Sequence, residues 1–359
     1  MKKIFLFLLI IVSGLLFSGT ASGLDVTDMA GRHIQAPFNP KRILCLGPGT
    51  LRLIVYLQAE SKVAGVEDME KMSPDGRPYW LAHPELKKLP RCGPGGPSGI
   101  NKKPDLETIL SLMPDVIFTT YMEDKMASDI QNTLGIPVVV LSFGEHATFD
   151  SAVYRSLKIA GSILDRKERA EDIVTFIESL RKDLLKRTGK IPESEKPSVY
   201  VGGIGYRGKF GIESTEQSYI PFKWVNADNI AERVKASTGS HVFMDKEILL
   251  KFNPEIIFLD CGGLPLVEDD YKKRPEYYRA LSAFNNKKVY TLFPFNWYAT
   301  NIGTALADAY TIGKILYPGQ FKDIDPERKT DEIYKFLVGT PVYNKMKKDY
   351  GHIGQNASF

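Results

Sequence analysis

Cysteine is scarce in this chain, and its placement excludes two common kinds of framework. Only three cysteines occur among 359 residues, Cys45, Cys92 and Cys261, and their separations do not match the spacing of a zinc site. An odd number leaves at least one thiol unpaired within the chain, and a single Cys92–Cys261 disulfide stays open. The five histidines show no short ligand spacing either. We therefore predict neither a disulfide scaffold nor a local metal site, and leave open a site assembled from distant loops.

An excess of charge of one sign is also lacking. The 47 basic residues nearly balance the 43 acidic ones, which does not favour nucleic acid as a partner. Catalytic signatures are missing too, since there is no G-x-S-x-G motif and no serine or cysteine has a base nearby in the sequence. The spacing Gly203-x-Gly205-x-x-Gly208 matches a dinucleotide fingerprint, but Gly211 and Pro221 follow where that motif needs a helix. We predict an open loop there, and no enzyme.

A long hydrophobic run occurs only at the start of the chain. Residues 4–17 are mostly apolar, follow Lys2 and Lys3, and are followed by the small residues of "TASG". This order and the short length predict a secretory signal peptide at residues 1–23 rather than a membrane anchor. No cysteine stands at the predicted cleavage site, so we expect no lipid attachment. Loss of the two lysines lowers the net charge from +4 to +2 in the mature, secreted chain.

The rest of the chain alternates strand and helix patterns. "LDVTDMAGRHIQAP" predicts a hairpin, after which strands and helices alternate, and a second such series begins at "PSVYVGGIG". Between the two series, Ile173, Ile177, Leu180 and Leu184 share one face of a long predicted helix. The pattern predicts an α/β fold with two Rossmann-like lobes, largely parallel sheets and a single connecting helix. The predicted boundaries are an N-terminal lobe at 24–164, a linking helix at 165–189 and a C-terminal lobe at 190–359.

One short construction occurs twice, once in each predicted lobe. Residues 105–118 are "DLETILSLMPDVIF" and residues 245–258 are "DKEILLKFNPEIIF". Each copy predicts an aspartate N-cap, a short helix, a break and an apolar strand, with Glu107 and Glu247 in the first helical turn. An acid there interacts favourably with the helix dipole, by about 0.3–1 kcal/mol, which accounts for each acid separately. It does not explain why the acids are matched between the lobes.

Aromatic and basic side chains gather in the loops that follow predicted strands. Ligands of open α/β sheets bind beyond the carboxyl ends of the strands, and aromatic walls with a few cations suit a bulky anionic ligand. A long polar and aromatic loop at 69–103 contributes several of these residues. The candidate ligand-binding residues are Tyr79, Trp80, Arg91, Tyr121, Tyr206, Arg207, Lys209, Phe295, Trp297 and Tyr298.

Several ordered segments resemble one known family. They are "TDMAGRHIQAPFNPKRILCLGPG", "LETILSLMPDVIF", "LGIPVVVL", "MDKEILLKFNPEIIFLDCGG" and "NNKKVYTLFPFNWYATNIGTALADAYTIGKILYP". Together they resemble the periplasmic substrate-binding proteins of metal-chelate ABC importers, of the iron-siderophore, haem and cobalamin type, over almost all of the mature chain. The resemblance implies two lobes bridged by one long helix, a ligand cleft between them and a limited closing motion.

The resemblance also implies a cargo and a partner. The expected cargo is a metal chelate, with a ferric siderophore or another Fe3+ complex as first choice and a corrinoid, haem or nickel chelate as alternatives. In such proteins one glutamate per lobe docks on an inner-membrane ABC permease with a cytoplasmic ATPase, and the matching positions are Glu107 and Glu247. A periplasmic monomer without intrinsic cofactor or metal ligands of its own is expected. A chelatase-like enzyme and a ligand sensor are the alternatives of another class.

Two departures from the resemblance fall near the expected cleft. Arg52 stands where many relatives carry glutamate, and the loop at 69–99 looks longer than usual. These differences leave the predicted fold unchanged and place the identity of the ligand in question.

Overall fold

The computed structural model describes residues 23–72, 76–96, 100, 102–144, 149, 151–205, 208–234 and 241–359. The strands are β1 (Gly23–Thr27), β2 (His33–Pro37), β3 (Ile43–Leu46), β4 (Val63–Gly65), β5 (Val116–Thr120), β6 (Val138–Leu141), β7 (Ser198–Gly202), β8 (Ser214–Glu216), β9 (Asp228–Asn229), β10 (His241–Phe243), β11 (Ile256–Asp260) and β12 (Val289–Leu292).

The helices alternate with these strands. They are α1 (Thr50–Tyr56), α2 (Asp68–Lys71), α3 (Pro78–Ala82), α4 (Leu106–Ser111), α5 (Asp124–Leu134), α6 (Ala152–Ile163), α7 (Lys167–Thr188), α8 (Ile220–Trp224), α9 (Lys246–Phe252), α10 (Leu264–Lys273), α11 (Pro275–Ala280), α12 (Ser282–Asn285), α13 (Ile302–Leu316), α14 (Pro326–Val338) and α15 (Tyr343–Tyr350). Short 3₁₀ turns lie at Glu60–Lys62, Pro84–Lys88, Glu193–Glu195 and Ile230–Arg233.

Two parallel four-stranded sheets form the centres of two lobes. The N-terminal sheet has the order β4-β3-β5-β6, and the C-terminal sheet has the order β12-β11-β7-β9. The strands β5 and β11 are buried at every position, as expected where helices cover both faces of a parallel sheet. The predicted α/β fold is confirmed. The predicted hairpin is also present, because β1 pairs antiparallel with β2 around a turn at Gly31, where φ is 82°.

A single long helix lies between the two sheets in the chain. It is α7, which has 22 residues and is therefore about 33 Å long. Its buried face consists of Ala170, Ile173, Ile177, Leu180, Leu184 and Thr188, so the four apolar residues of the sequence pattern all face the core. The helix packs against α6 and against α13.

The two copies of the sequence repeat have matching structures. Asp105 accepts the backbone N–H of Thr108 at the start of α4, and Asp245 accepts that of Glu247 at the start of α9. Both helices are followed by a non-glycine residue in the left-handed region, Met113 (φ 46°) and Asn253 (φ 42°), and then by one of the two inner strands of their sheet. Glu107 and Glu247 are both exposed to solvent.

The cysteines contribute to the interior as thiols. Cys45, Cys92 and Cys261 are all buried and all free, so no disulfide joins Cys92 to Cys261. Within the part of the chain that the structure describes, no helix is both long enough and apolar enough to cross a membrane.

Candidate functional site

A pocket of about 410 Å³ lies at the carboxyl edge of the N-terminal sheet. Several of its lining residues lie at or just beyond the C-terminal ends of strands. Gly47 follows β3, Glu67 lies two residues after β4, and Thr119 and Thr120 are the last residues of β5. Gly47 has φ 82°, and a Cβ there would lie 2.8 Å from the carbonyl oxygen of Thr120, so the chain needs glycine at this position. The full lining is Leu46, Gly47, Glu67, Cys92, Gly93, Pro94, Gly95, Ile100, Lys102, Lys103, Pro104, Asp105, Thr119, Thr120 and Met122.

A second pocket of about 440 Å³ continues along the same edge. The two pockets share Ile100 and Met122, and Tyr121 lines the second one. Tyr121 follows β5 with φ 54°, an uncommon conformation for a side chain of this size. The carboxyl edge of this sheet is thus a continuous, concave surface, as expected for a ligand site on an open α/β sheet.

Glu67 is the buried acid of the first pocket. Its carboxylate accepts the backbone N–H of Gly47 at 3.1 Å and the hydroxyl of Tyr298 at 2.5 Å. Burial raises the pKa of Glu67 to about 7, although the hydrogen bonds from Tyr298 and Gly47 act in the opposite direction. The carboxyl group therefore changes its charge near neutral pH, next to whatever occupies the pocket.

The rim of the first pocket carries two cations. Lys102 and Lys103 are exposed and line the pocket, together with one exposed acid, Asp105. Two lysine ammonium groups attract an anion, and their long side chains adapt to ligands of different size. Neither lysine was among the candidates from sequence.

Three of the predicted wall residues lie in the core. Tyr79, Trp80 and Phe295 are each about 1% exposed. Tyr79 donates a 2.7 Å hydrogen bond to Glu70, and the guanidinium of Arg77 lies 5.6 Å from the ring of Trp80. Their rings pack behind the cleft instead of forming its surface, because the loop that carries Tyr79 and Trp80 folds into the short helix α3.

The other predicted residues are more dispersed. Arg91 is half-exposed and pairs with Asp68 at 2.6 Å, next to the pocket residue Cys92. Lys209 is exposed in the C-terminal lobe. Tyr206 and Arg207 lie outside the described residues. Tyr121 lines the second pocket.

Trp297 and Tyr298 belong to a turn that reaches the N-terminal lobe. Trp297 is partly buried, and its indole Nε1 has no hydrogen-bond partner. Tyr298 is 8% exposed and lies behind the pocket, where its hydroxyl accepts the N–H of Gly96 at 3.1 Å and donates to Glu67. The structure thus brings Tyr298 to the pocket residues Glu67 and Gly95 from the opposite lobe.

Several residues that line the site were not among those predicted from the sequence. Glu67, Thr119 and Thr120 stand directly at or after the ends of apolar strands, and that position is the signal by which they could have been found. Lys102 and Lys103 lie in a polar segment without a pattern of its own. Their role becomes visible only when the strand ends are brought together.

The C-terminal lobe contains a group of buried acids. Glu216, Asp260 and Asp308 are at most 3% exposed. Burial raises the pKa of Glu216 to about 8 and that of Asp260 to about 7, and raises that of Asp308 well above its ordinary value. Across the described residues, no three acidic, cysteine or histidine side chains are placed to hold a metal ion.

The sequence profile of the periplasmic binding protein family matches residues 43–294. The chain belongs to this family. Molybdate-binding protein MolA of Haemophilus influenzae is 24% identical over 368 residues, which cover 95% of this chain and 97% of MolA.

Solved structures show the same fold. MolA bound to molybdate gives a TM-score of 0.69 at 21% identity and covers 89% of this chain and 98% of its own. A periplasmic solute binding protein of Veillonella parvula gives 0.70 at 18% identity, with 91% and 96% covered. Helicobacter pylori CeuE with Ni(II) bound gives 0.62 at 19% identity, with 88% and 96% covered.

These relationships confirm the family and the two-lobed fold predicted from sequence. Proteins of this family are periplasmic solute-binding proteins of ABC importers, and they bind and deliver a small molecule instead of transforming it. The expectation that the chain is not an enzyme is thereby confirmed as well.

Proposed function

We propose that this protein captures an anionic metal complex, with a ferric chelate as first choice, and delivers it to an inner-membrane ABC importer. The observation that carries the proposal is the pocket at the carboxyl edge of the N-terminal sheet, with Lys102 and Lys103 on its rim. Secretion through a signal peptide at residues 1–23 and lobe boundaries at 24–164 and 190–359 are part of the same proposal.

The size of the site favours a chelate. The two adjoining pockets measure about 410 and 440 Å³, within the range of roughly 300–1,000 Å³ that is typical of small-molecule sites. Tyr121 at the second pocket gives an aromatic surface for an organic ligand shell. The chelator would arrive with the metal already bound, so the protein needs to recognise charge and shape only.

The second candidate cargo is an oxyanion such as molybdate. It is favoured by the relationship to MolA, which extends over 95% of this chain. An oxyanion would be held by backbone N–H groups and by polar side chains of the first pocket alone, where Thr119, Lys102 and Lys103 form part of the lining. The two candidates differ in size and therefore in whether the second pocket is needed.

Titration of tryptophan fluorescence tests both candidates. Trp297 belongs to the turn beside the pocket, whereas Trp80 is buried and Trp224 packs against Phe149, so Trp297 is the expected reporter. The panel is a ferric tris(catecholate), ferric citrate, molybdate, cobalamin, haem and a nickel–histidine complex. A saturable change with a ferric complex supports the first choice, and saturation with molybdate alone replaces it with the second. Saturation that persists in Trp297→Phe would show that another tryptophan reports binding.

The lysines are tested by paired substitution. We expect Lys102→Ala with Lys103→Ala to weaken binding of the saturating anion by roughly tenfold or more, because each charge-assisted contact is strong in a partly enclosed site. Lys87→Ala with Lys88→Ala is the matched control, since that adjacent pair is equally exposed but lies outside the pocket. Equal affinity in both double variants would reject the pocket as the anion site.

We also propose that Glu107 and Glu247 are the points of contact with the permease. They are exposed, occupy equivalent helices, and lie one on each lobe. Complementary charges of this kind set the docking register and accelerate encounter.

A further inference from the structure

Arg52 is a fully buried cation that reaches from one lobe into the other. It lies on α1 in the N-terminal lobe and is 0% exposed. Its Nη1 donates to the carbonyl oxygen of Thr300 at 3.0 Å, and its Nη2 donates to those of Trp297 at 2.9 Å and Tyr298 at 3.0 Å. All three acceptors belong to one turn of the C-terminal lobe.

The charge of Arg52 has no acidic partner of its own. Within the described ranges no carboxylate forms an ion pair with it: the buried Glu70, whose pKa is raised by burial and lowered in part by the nearby charge of Arg52, is paired with Arg77 instead. The Nε of Arg52 makes no hydrogen bond. The guanidinium instead lies 4.9 Å from the centre of the Tyr79 ring and donates to the three carbonyls. A buried cation is costly unless it is hydrogen-bonded, so the three carbonyls and the ring, together with the nearby Glu70 carboxyl, offset the cost of burying this charge.

The turn that Arg52 holds has an unfavourable backbone conformation. Tyr298 has φ 51° and Ala299 has φ 66°, two consecutive left-handed residues that carry a Cβ. Such residues persist only where surrounding contacts impose the conformation. Arg52 supplies contacts on both sides of Ala299, at the carbonyls of Tyr298 and Thr300.

The same turn supports the pocket. The hydroxyl of Tyr298 is hydrogen-bonded to Glu67 and to the N–H of Gly96, and Glu67 and Gly95 line the pocket. We propose that Arg52 is a positioning residue for ligand capture, which fixes the 297–300 turn across the cleft and so places Tyr298 behind the pocket wall. Arg52 acts through this turn, because it has no exposed surface with which to touch a ligand.

The structural part of this proposal is tested without ligand, by fluorine NMR of protein labelled with 5-fluorotryptophan. The chain has three tryptophans, and Trp297→Phe assigns the resonance of the turn. Arg52→Lys keeps the positive charge but loses the planar guanidinium with its several N–H donors. We expect this variant to shift or broaden the Trp297 resonance. Trp224, which packs against Phe149, is the internal reference and should not move. An unchanged Trp297 resonance in Arg52→Lys would overturn the proposal.

Arg169 offers a matched control. It also links the lobes through backbone carbonyls, those of Tyr56 and Phe336, but contacts no residue of the turn. Arg169→Lys should leave the Trp297 resonance in place. If it moves that resonance as much as Arg52→Lys does, the effect is a general loosening of the lobes and the assigned role of Arg52 is wrong.

A rescue separates positioning from general stability. Glycine adopts positive φ without a Cβ clash, so Ala299→Gly should restore the Trp297 resonance in the Arg52→Lys background. Failure to restore it would show that the strained turn is not what Arg52 holds. If Arg52→Lys does not fold, Arg52→Met is used in its place, because it keeps an unbranched apolar side chain and removes both the charge and the hydrogen bonds.

The effect on affinity rests on the proposed function and is measured separately. The probes are a ferric tris(catecholate) and molybdate. Whichever saturates the wild type should bind roughly tenfold more weakly to Arg52→Lys and within about twofold of wild type to Arg169→Lys. If neither probe binds the wild type, the proposed cargo fails while the fluorine spectrum still decides the role of Arg52. A displaced Trp297 with unchanged affinity for a bound probe would overturn the link to ligand capture.

Discussion

Tyr298 and Glu67 are joined by a 2.5 Å hydrogen bond across 231 positions of the chain. The phenol donates to Oε2 of a carboxyl group whose pKa burial raises to about 7. The bond therefore connects the two lobes at a group that changes charge near neutral pH. Because Glu67 also lines the pocket, the contact between the lobes and the charge of the pocket involve the same carboxyl group.

Tyr298→Phe should destabilise the protein in a pH-dependent way. The hydrogen bond from Tyr298 lowers the pKa of Glu67, so its loss raises that pKa further. Ionisation of Glu67 in the folded state then costs more free energy. We therefore expect the free energy of unfolding to decrease by about 1–3 kcal/mol, and to decrease more at pH 8 than at pH 5.5. Urea denaturation at both pH values measures it.

Tyr317→Phe is the control for that experiment. Its hydroxyl donates to the backbone carbonyl of Asn226 at 3.3 Å, so its removal involves no titrating partner. The same pH dependence in both variants would contradict the assignment to Glu67.

The buried acids of the C-terminal lobe should make the protein less stable as pH rises. The pKa values of Glu216 and Asp260, about 8 and about 7, lie above those of the unfolded chain, about 4. The folded state therefore binds these protons more tightly, and the free energy of unfolding falls between the two pKa values, by at most about 1.4 kcal/mol per pH unit and group. We expect the melting temperature to decrease from pH 5 to pH 8.

Glu216→Gln should flatten this decrease, because glutamine stays neutral when buried. Glu247→Gln removes an exposed carboxylate from the same lobe and is the matched control. A melting curve series in which both variants keep the slope of the wild type would exclude Glu216 as a source of the pH dependence.

The fold was predictable because its signals are local. The face formed by Ile173, Ile177, Leu180 and Leu184 needs only a helical period, and the repeat at 105–118 and 245–258 needs only comparison of two short segments. The burial of α7 and the matched caps at Asp105 and Asp245 agree with both. Strand alternation was likewise enough to predict two parallel sheets.

The site was less predictable because it depends on distant parts of the chain. Tyr79 and Trp80 lie in a helix of five residues, which is too short for a period to show which side is buried. Lys102 and Lys103 line the same pocket as Glu67 only once strands β3, β4 and β5 have assembled into the sheet. Arg52 was noticeable as a departure from relatives, but its acceptor at Thr300 lies 248 positions away. Tertiary contacts of that separation leave no local pattern.

Packing of the linking helix should contribute strongly to stability. Leu184 is 0% exposed and belongs to the buried face of α7, whereas the adjacent Leu185 is 63% exposed. We expect Leu184→Ala to lower the free energy of unfolding by roughly 2–5 kcal/mol, because it leaves a cavity between the helix and the core. Leu185→Ala should change it by less than about 0.5 kcal/mol. Similar losses in both variants would mean that the helix is not packed through this face.

Reversal of charge at both matched acids should abolish delivery without affecting capture. Glu107→Arg with Glu247→Arg replaces attraction to a basic surface of the permease with repulsion on both lobes, whereas the pocket is unchanged. We expect uptake into proteoliposomes containing the cognate importer to be lost while the affinity for the solute stays within about twofold. The control reverses two other exposed acids, Glu195 and Glu232. Uptake that persists with Glu107→Arg and Glu247→Arg would reject the docking role. An equal loss of uptake in the control variant would show that the effect comes from net charge alone.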